Sequence, residues 1–336
     1  MDNTVLIVLG MAGSGKSTFC HRLYSWLSEK NLKIDSRTGL NDAVCGINLD
    51  PAAATVKMPL HYDIRDTVQI HDLMQQKKLG PNGAILTALN LFVTQIDTFI
   101  SQIVELGPRY TVIDTPGQIE MFTTSISGQI LTQCLSRTKG IRVKMVYVVD
   151  GEKAQSPQCF ISNMLFATSI HYRFNEQLLV VVNKSDMEGS EKIEEWASSF
   201  ETFAADLPEE EMSTPLTRSI ALWMEEFYSN FSLLHVSAAT GMGKRALIEE
   251  VDRREPDEQE ETENKEEKSA ECLQGKEESQ KDTVIQSILE TLKRTTILCS
   301  SGKKEDEDES DEETKEDTEV NTHDKNKAES IDHSNR

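Results

Sequence analysis

The 336-residue chain contains no cysteine pair at C-x-x-C spacing and no H-E-x-x-H. Its six cysteines, Cys20, Cys45, Cys134, Cys159, Cys272 and Cys299, are scattered, and none stands beside a histidine in a zinc-binding pattern. That sets aside a zinc module and a disulfide framework and suits reduced thiols in a cytosolic or nuclear protein. The basic-then-apolar order of a secretory signal is missing, because the apolar run starts at once and reads as a strand. No apolar stretch is long enough to span a bilayer. Positive charge is scarce: 35 basic side chains face 57 acidic ones, a net charge of −22. This balance argues against direct binding to nucleic acid or to an anionic membrane, and it permits basic protein surfaces.

The acid is concentrated. From residue 252 onward there are 28 acidic and 14 basic residues, so residues 1–251 carry a net charge of only −8. Residues 1–251 therefore read as one globular domain. Residues 252–336 read as a disordered acidic tail, too poor in apolar surface to offset the entropy of ordering. One island, 283–299, places Val284, Ile285, Ile288, Leu289 and Leu292 at helical spacing. A helix that docks on a partner or on its own domain, a leucine-rich export signal and a transient helix without a role all fit it.

What is present is organised around Gly10-Met11-Ala12-Gly13-Ser14-Gly15-Lys16-Ser17, the spacing G-x-x-x-x-G-K-[ST] of a phosphate-binding loop. The glycines let successive N–H groups turn inward on phosphate oxygens. Gly13, Ser14, Gly15, Lys16, Ser17 and Thr18 are the expected phosphate contacts. Lys16 would reach the β- and γ-phosphates and the Ser17 hydroxyl would ligate Mg²⁺. The flanks fit, with a strand over residues 4–9 and a helix over 18–29 whose positive dipole end faces the phosphates.

Further strands are expected to end at Asp50, Asp114, Asp150, Asn183 and Val236, the last followed by Ser237-Ala238. Between them, residues 29–46 read as a loop, and helices are expected over 66–76, 83–106, 119–137, 160–172, 193–231 (broken near Pro208 and Pro215) and 243–251, with a turn at 79–83. Short, wholly apolar strands alternating with helices predict an α/β fold: a mostly parallel P-loop NTPase sheet with helices on both faces and helical insertions. Every polar motif follows a strand, at the carboxyl edge where such sheets bind ligands.

Asp114-Thr115-Pro116-Gly117-Gln118 matches a second phosphate motif. Asp114 would hold Mg²⁺ through water, Gly117 N–H would sense the γ-phosphate, and Gln118 would orient an attacking water, with Glu120 in the same network. Asn183-Lys184-Ser185-Asp186 is N-K-x-D. The Asp186 carboxylate can accept from guanine N1–H and the exocyclic amine, a pair that adenine does not offer. Ser237-Ala238 suits the loop that touches the guanine oxygen. Asp50 either positions water or a metal-bound water, or is an ordinary Asp-Pro turn.

Taken together with Gly80-Pro81-Asn82, these motifs resemble the GPN-loop GTPase family. Ile-Asn-Leu-Asp-Pro-Ala (47–52), Asp-Ile-Arg-Asp-Thr (63–67), Leu-Gly-Pro-Asn-Gly-Ala (79–84), Asp-Thr-Pro-Gly-Gln-Ile-Glu (114–120) and Ser-Asn-Met-Leu (162–165) follow the family's order. Thr217-Arg218-Ser219 and Glu226-Phe227-Tyr228-Ser229 continue it. The opening Gly-Met-Ala and the acidic tail resemble the eukaryotic type-one branch. The resemblance implies a GTPase that uses Mg²⁺ and pairs with a second copy or with another paralogue. It implies that Gly80, Pro81 and Asn82 reach the partner's nucleotide, with Asn82 acting near the γ-phosphate. It implies water-positioning roles for Asp50, Gln118 and Glu120. It also implies work with RNA polymerase II in its assembly and nuclear import, in a mainly cytoplasmic protein that shuttles. Two departures stand out: a long 29–46 segment, and Thr124-Ser125-Ile126-Ser127-Gly128 where the family has Trp-Ser-Ala-Ser-Gly. A GTP-dependent scaffold with incidental hydrolysis is the alternative. An ATP-using P-loop kinase is a third reading, which Asp186 and the Gly-Pro-Asn loop oppose.

Overall fold

The computed structural model describes residues 2–31, 43–187, 191–207 and 232–254. In chain order its strands are β1 (Asn3–Gly10), β2 (Val44–Asn48), β3 (Tyr62–Asp63), β4 (Tyr110–Asp114), β5 (Ile141–Asp150), β6 (Gln177–Asn183) and β7 (Ser232–His235). They form one sheet in the order β3-β2-β4-β1-β5-β6-β7. Every pairing is parallel. This is the expected P-loop NTPase α/β fold.

The helices are α1 (Lys16–Lys30), α2 (Ile64–Thr67), α3 (Ile70–Lys77), α4 (Pro81–Val93), α5 (Ile96–Leu106), α6 (Ile119–Thr123), α7 (Ile126–Arg137), α8 (Pro157–Phe174), α9 (Glu191–Ser198), α10 (Phe200–Ala205) and α11 (Lys244–Asp252). Alternate strand residues point to opposite faces, so the sheet feeds two cores. On one face Leu6, Val8 and Val146 pack with Phe19 and Leu23 of α1 and Leu247 of α11. On the other Val5, Ile7 and Ile113 pack with Phe92 of α4, Leu131 of α7 and Phe160 of α8.

Several elements differ from expectation. The helix expected over 83–106 is two helices, α4 and α5, bent by 66°. Thr94 ends α4, its hydroxyl donating to Leu91 O at 2.6 Å. The 119–137 helix is likewise split into α6 and α7, because Ser125 caps a new N-terminus by accepting from Gly128 N–H at 3.1 Å. The 66–76 helix becomes α2 and α3, separated by extended backbone at Val68 and Gln69. Strand β3 has only two residues, too few to show a period. The Gly80-Pro81-Asn82 turn is a helix start: Gly80 is the N-cap and Pro81 the first residue of α4, where its missing N–H costs nothing. The loop expected over 29–46 is shorter at both ends, since α1 runs to Lys30 and β2 begins at Val44. Residues 32–42, 208–231 and 255–336 lie outside the described residues, and with them most of the acidic tail, the 283–299 island, and the motifs at 217–219 and 226–229. Among the described residues no single helix is long and apolar enough to cross a membrane.

One buried cation fastens α11 to the sheet. Lys144 stands in β5, 2 % exposed, and its Nζ donates to Glu250 O at 2.9 Å and Arg253 O at 2.8 Å. An ammonium there meets the carbonyls and negative dipole end of α11.

Close packing makes one glycine of α7 irreplaceable. A Cβ on Gly128 would lie 2.2 Å from Phe122 O, whereas one on Gly83 in α4 would meet only the Leu79 side chain at 3.6 Å. Gly128→Ala should cost on the order of 1–3 kcal/mol of stability, because backbone must move. Gly83→Ala should instead stabilise by about 0.5–1 kcal/mol through helix propensity. Urea unfolding of the two variants checks both signs.

Candidate functional site

The phosphate loop grows out of the middle of the sheet. β1 is buried throughout, and the chain then curls through Met11–Gly15 before α1 starts at Lys16. Gly13 and Gly15 take φ of 86° and 83°, the left-handed region that glycine tolerates. A Cβ on Gly15 would also stand 2.6 Å from Asn183 Nδ2. No side chain caps α1 and no acid lies in its first turn, so its N–H groups and dipole are turned toward an anion. Ser14 Oγ is buried without a hydrogen-bond partner among the described residues, and the Ser17 and Thr18 side chains are exposed. An N–H-rich cradle holding a buried, unpartnered hydroxyl fits a polyphosphate.

Two other strand ends, those of β4 and β2, meet beside this loop. Lys16 Nζ pairs with Asp114 Oδ1 at 2.5 Å and donates to Thr115 O, with both charged groups buried. Thr115 Oγ1 ties the motif back to β1 by donating to Val8 O at 2.7 Å. Asp50, just past β2, accepts from Gly117 N–H at 3.1 Å and from Ala52 N–H at 2.9 Å. Burial pushes the Asp50 carboxyl up, against those two hydrogen bonds and the Lys16 charge. Gln118 and Glu120 are exposed at the start of α6.

The base side is built by Asn183. Its Nδ2 donates to Ser14 O at 2.9 Å and its Oδ1 accepts from Ala238 N–H at 3.1 Å. One amide therefore braces the phosphate loop and the Ser237-Ala238 turn together. Lys184 has a φ of 62° and its Nζ reaches Asp150 Oδ2 at 2.9 Å. Ser185 Oγ donates to Val182 O at 2.7 Å, which leaves Asp186 exposed at the tip of the turn.

Asp50, Asp114, Gly117, Asn183, Lys184, Ser237 and Ala238 thus share one sheet edge with the phosphate loop. Gly80, Pro81 and Asn82 are exposed at the head of α4, and among the described residues no hydrogen bond ties Asn82 to that loop. Sequence reasoning did not find Asp150, the anchor of Lys184. Nor did it find Arg22, which donates to Ala238 O at 2.8 Å from α1. It gave no role to Asn48, Asp63 or Arg65. For Asp150 a signal existed, since it ends a strand beside Asn183 as Asp114 ends one beside Val8.

A family model described as "conserved hypothetical ATP binding protein" matches residues 8–257. GPN-loop GTPase 1 of Saccharomyces cerevisiae is 35% identical over 306 residues, covering 87% of this chain and 76% of that protein. GPN-loop GTPase 1 of Dictyostelium discoideum is 41% identical over 250 residues, covering 73% of this chain and 60% of that protein. The chain belongs to the GPN-loop GTPase family. Its match to the yeast GPN-loop GTPase 2 is shorter, 33% over 184 residues, or 54% of this chain and 50% of that one. The type-one members are therefore the fuller likeness. A crystal structure of an apo GTPase from Pyrococcus abyssi shares the fold, with a TM-score of 0.62 at 24% identity, covering 74% of this chain and 96% of that one.

Two outcomes are expected of the nucleotide edge. Asn183→Ala would strand Ser14 O and Ala238 N–H, and should weaken guanine-nucleotide binding by roughly 10- to 100-fold in calorimetry. Asp63, behind Asp50, gives a pH test. Burial alone would raise its carboxyl, but hydrogen bonds from Arg65 hold it below its ordinary value. A depressed carboxyl stabilises above the unfolded-state pKa of about 3.9, and that stabilisation is lost as pH falls through the folded value. The stability difference between wild type and Arg65→Met should be full at pH 7 and shrink below about pH 4, read by urea unfolding across that range.

Proposed function

We propose that this chain binds and hydrolyses GTP as one subunit of a two-subunit switch. The hydrogen bond from Gly117 N–H to Asp50 carries this reading. It sets a carboxylate on the residue that would sense the γ-phosphate, beside the Lys16–Asp114 pair. Hydrolysis is in-line attack of water on the γ-phosphorus. Asp50, with Gln118 and Glu120, orients that water. Lys16 and the amides of Gly13, Ser14 and Gly15 bear on the charge gathering on the phosphate oxygens. Asn183, Lys184, Ser237 and Ala238 frame the base, and Asp186 accepts from guanine N1–H and its exocyclic amine. The hard oxygens of Ser17 and Asp114 are the residues that would hold Mg²⁺, Asp114 through water. When bound, the ion would supply neutralisation of phosphate charge.

Asn82 acts in trans. It is exposed at a helix start, free to meet a second subunit, and it matches the asparagine of the Gly-Pro-Asn loop, for which the family resemblance implies contact with the partner's nucleotide. The partner is a second copy or a GPN-loop paralogue. Family resemblance supports a role in RNA polymerase II assembly and nuclear import, in the cytoplasm with shuttling to the nucleus. Contacts with nucleic acid and membrane are not part of this reading, in line with the net charge of −22.

The GTP-dependent scaffold is the second reading. Gln118, Glu120 and Asn82 are all exposed in the single subunit, so isolated turnover would be slow. Asn82→Ala should slow hydrolysis in the assembled pair by about 10- to 100-fold, with thermal stability of the subunit unchanged. Wild-type turnover in that variant removes the trans role. The mass in solution with GDP and with a non-hydrolysable GTP analogue, together with competition by ATP, tests assembly and base choice. Partner binding that survives Gln118→Leu unaltered, with only slow single turnover, would favour the scaffold.

A further inference from the structure

Asp50 is held by a closed ring of hydrogen bonds, and most of that ring lies outside the nucleotide motifs. Asp50 N–H donates to Asn48 Oδ1 at 3.0 Å, and Asn48 Nδ2 donates back to Asp50 O at 3.2 Å. Asn48 is completely buried at the end of β2, and its Nδ2 also reaches Asp63 Oδ1 at 2.9 Å. Asp63, in edge strand β3, takes Arg65 Nε on both carboxylate oxygens at 3.0 Å and Arg65 Nη2 at 2.5 Å. Arg65 Nη1 then donates to Ala53 O at 2.9 Å. Ala53 N–H closes the ring on Asp50 O at 3.3 Å. The first turn of α2 is fastened to the same carboxylate, because Arg65 N–H donates to Asp63 Oδ1 at 3.0 Å.

The ring answers a specific difficulty. Asp50 begins an Asp-Pro turn at a strand end, where backbone direction is set locally and few ladder bonds remain. Its carboxylate must stay ionised and aimed although burial disfavours the charge. Asn48 grips the Asp50 backbone from both sides, and Arg65 grips the turn that follows it. A planar guanidinium can hold two carboxylate oxygens and a carbonyl at once, which an ammonium cannot. Displacing a reacting carboxylate by about 1 Å is enough to cost on the order of 100-fold in rate.

We infer that Arg65 and Asp63, acting through Asn48 and the 50–53 turn, are positioning residues that keep the Asp50 carboxylate at the phosphate edge, where it meets Gly117 N–H before nucleotide arrives, and so set it for the hydrolytic step. This rests on the proposed role of Asp50 in hydrolysis. Helix α2 also packs against α4, whose first turn carries Asn82.

The test compares Asp50→Asn, Arg65→Met, Arg65→Lys and the double variant Asp50→Asn/Arg65→Met in the full chain. Four quantities are read: single-turnover GTP hydrolysis in the presence of the partner subunit, GDP affinity, thermal unfolding, and amide exchange at Gly117 without nucleotide. Arg65→Met should slow hydrolysis by about 10-fold or more and speed exchange at Gly117. GDP affinity should stay within about twofold of wild type, since the phosphate loop and Asn183 are untouched. Arg65→Lys should resemble Met rather than wild type. In the Asp50→Asn background the Arg65 change should cost no further rate, as expected of a residue that works through Asp50. A residue needed only for stability would lower the unfolding temperature in both backgrounds and leave rate and Gly117 exchange alone, and that result overturns the inference. So does equal slowing in both backgrounds. If Asp50→Asn itself hydrolyses at the wild-type rate, the underlying reading of Asp50 fails, and this result is distinct from wild-type hydrolysis in Arg65→Met beside an inactive Asp50→Asn. Should Arg65→Met not fold, Asp63→Asn keeps the volume, breaks the ion pair and is read against the same outcomes.

Discussion

The parallel pairing of β1 with a strand on each side governs the whole molecule. Buried backbone must find partners, and β1 finds them in β4 and β5 at once. That registers Val8 beside both Asp114 and Val146, and Gly10 beside Val148. Segments far apart in sequence are thereby obliged to stop along one line. Beyond it the chain turns toward solvent, and side chains that could not be buried mid-strand become affordable. The nucleotide motifs are polar because they lie past this line. They lie together because the ladders end there.

Most charged groups of the site are paired with an opposite charge, and Asp50 is held by backbone N–H groups instead. Lys16 leans on Asp114, Lys184 on Asp150, and Arg65 on Asp63. Each pairing offsets a desolvation cost that a lone ion could not bear. For Lys16, the cation that would face phosphate, burial beside Asp114 leaves the ammonium already stripped of much of its water and aimed. Asn183 does for neutral groups what these pairs do for ions: a single amide serves as donor to the phosphate loop and acceptor for the base turn.

Much of this was legible in the sequence because it depends on local order. The strand before Gly10, the helix after Lys16 and the polar residue closing each later strand all follow from short apolar runs and their punctuation. Breaks within helices were less legible. Thr94 and Ser125 interrupt periodic patterns through hydrogen bonds of their own side chains, a choice that periodicity does not register. The Gly80-Pro81-Asn82 segment read as a turn because glycine and proline punctuate turns, yet proline is equally at home in the first turn of a helix. Least legible were contacts between polar residues on different strands. The pairing of Asn48 with Asp63 follows from β2 and β3 lying side by side, and β3 is too short to announce itself.

The Lys144 contact gives the molecule a mechanical property. Its ammonium joins the carbonyls that close α11 to a strand deep in the sheet, next to the strand that carries the phosphate loop. A pull on the chain at residue 254 is therefore borne by β5 rather than by the surface helix alone. Strain entering at that end meets β5, which lies beside the strand that carries the phosphate loop.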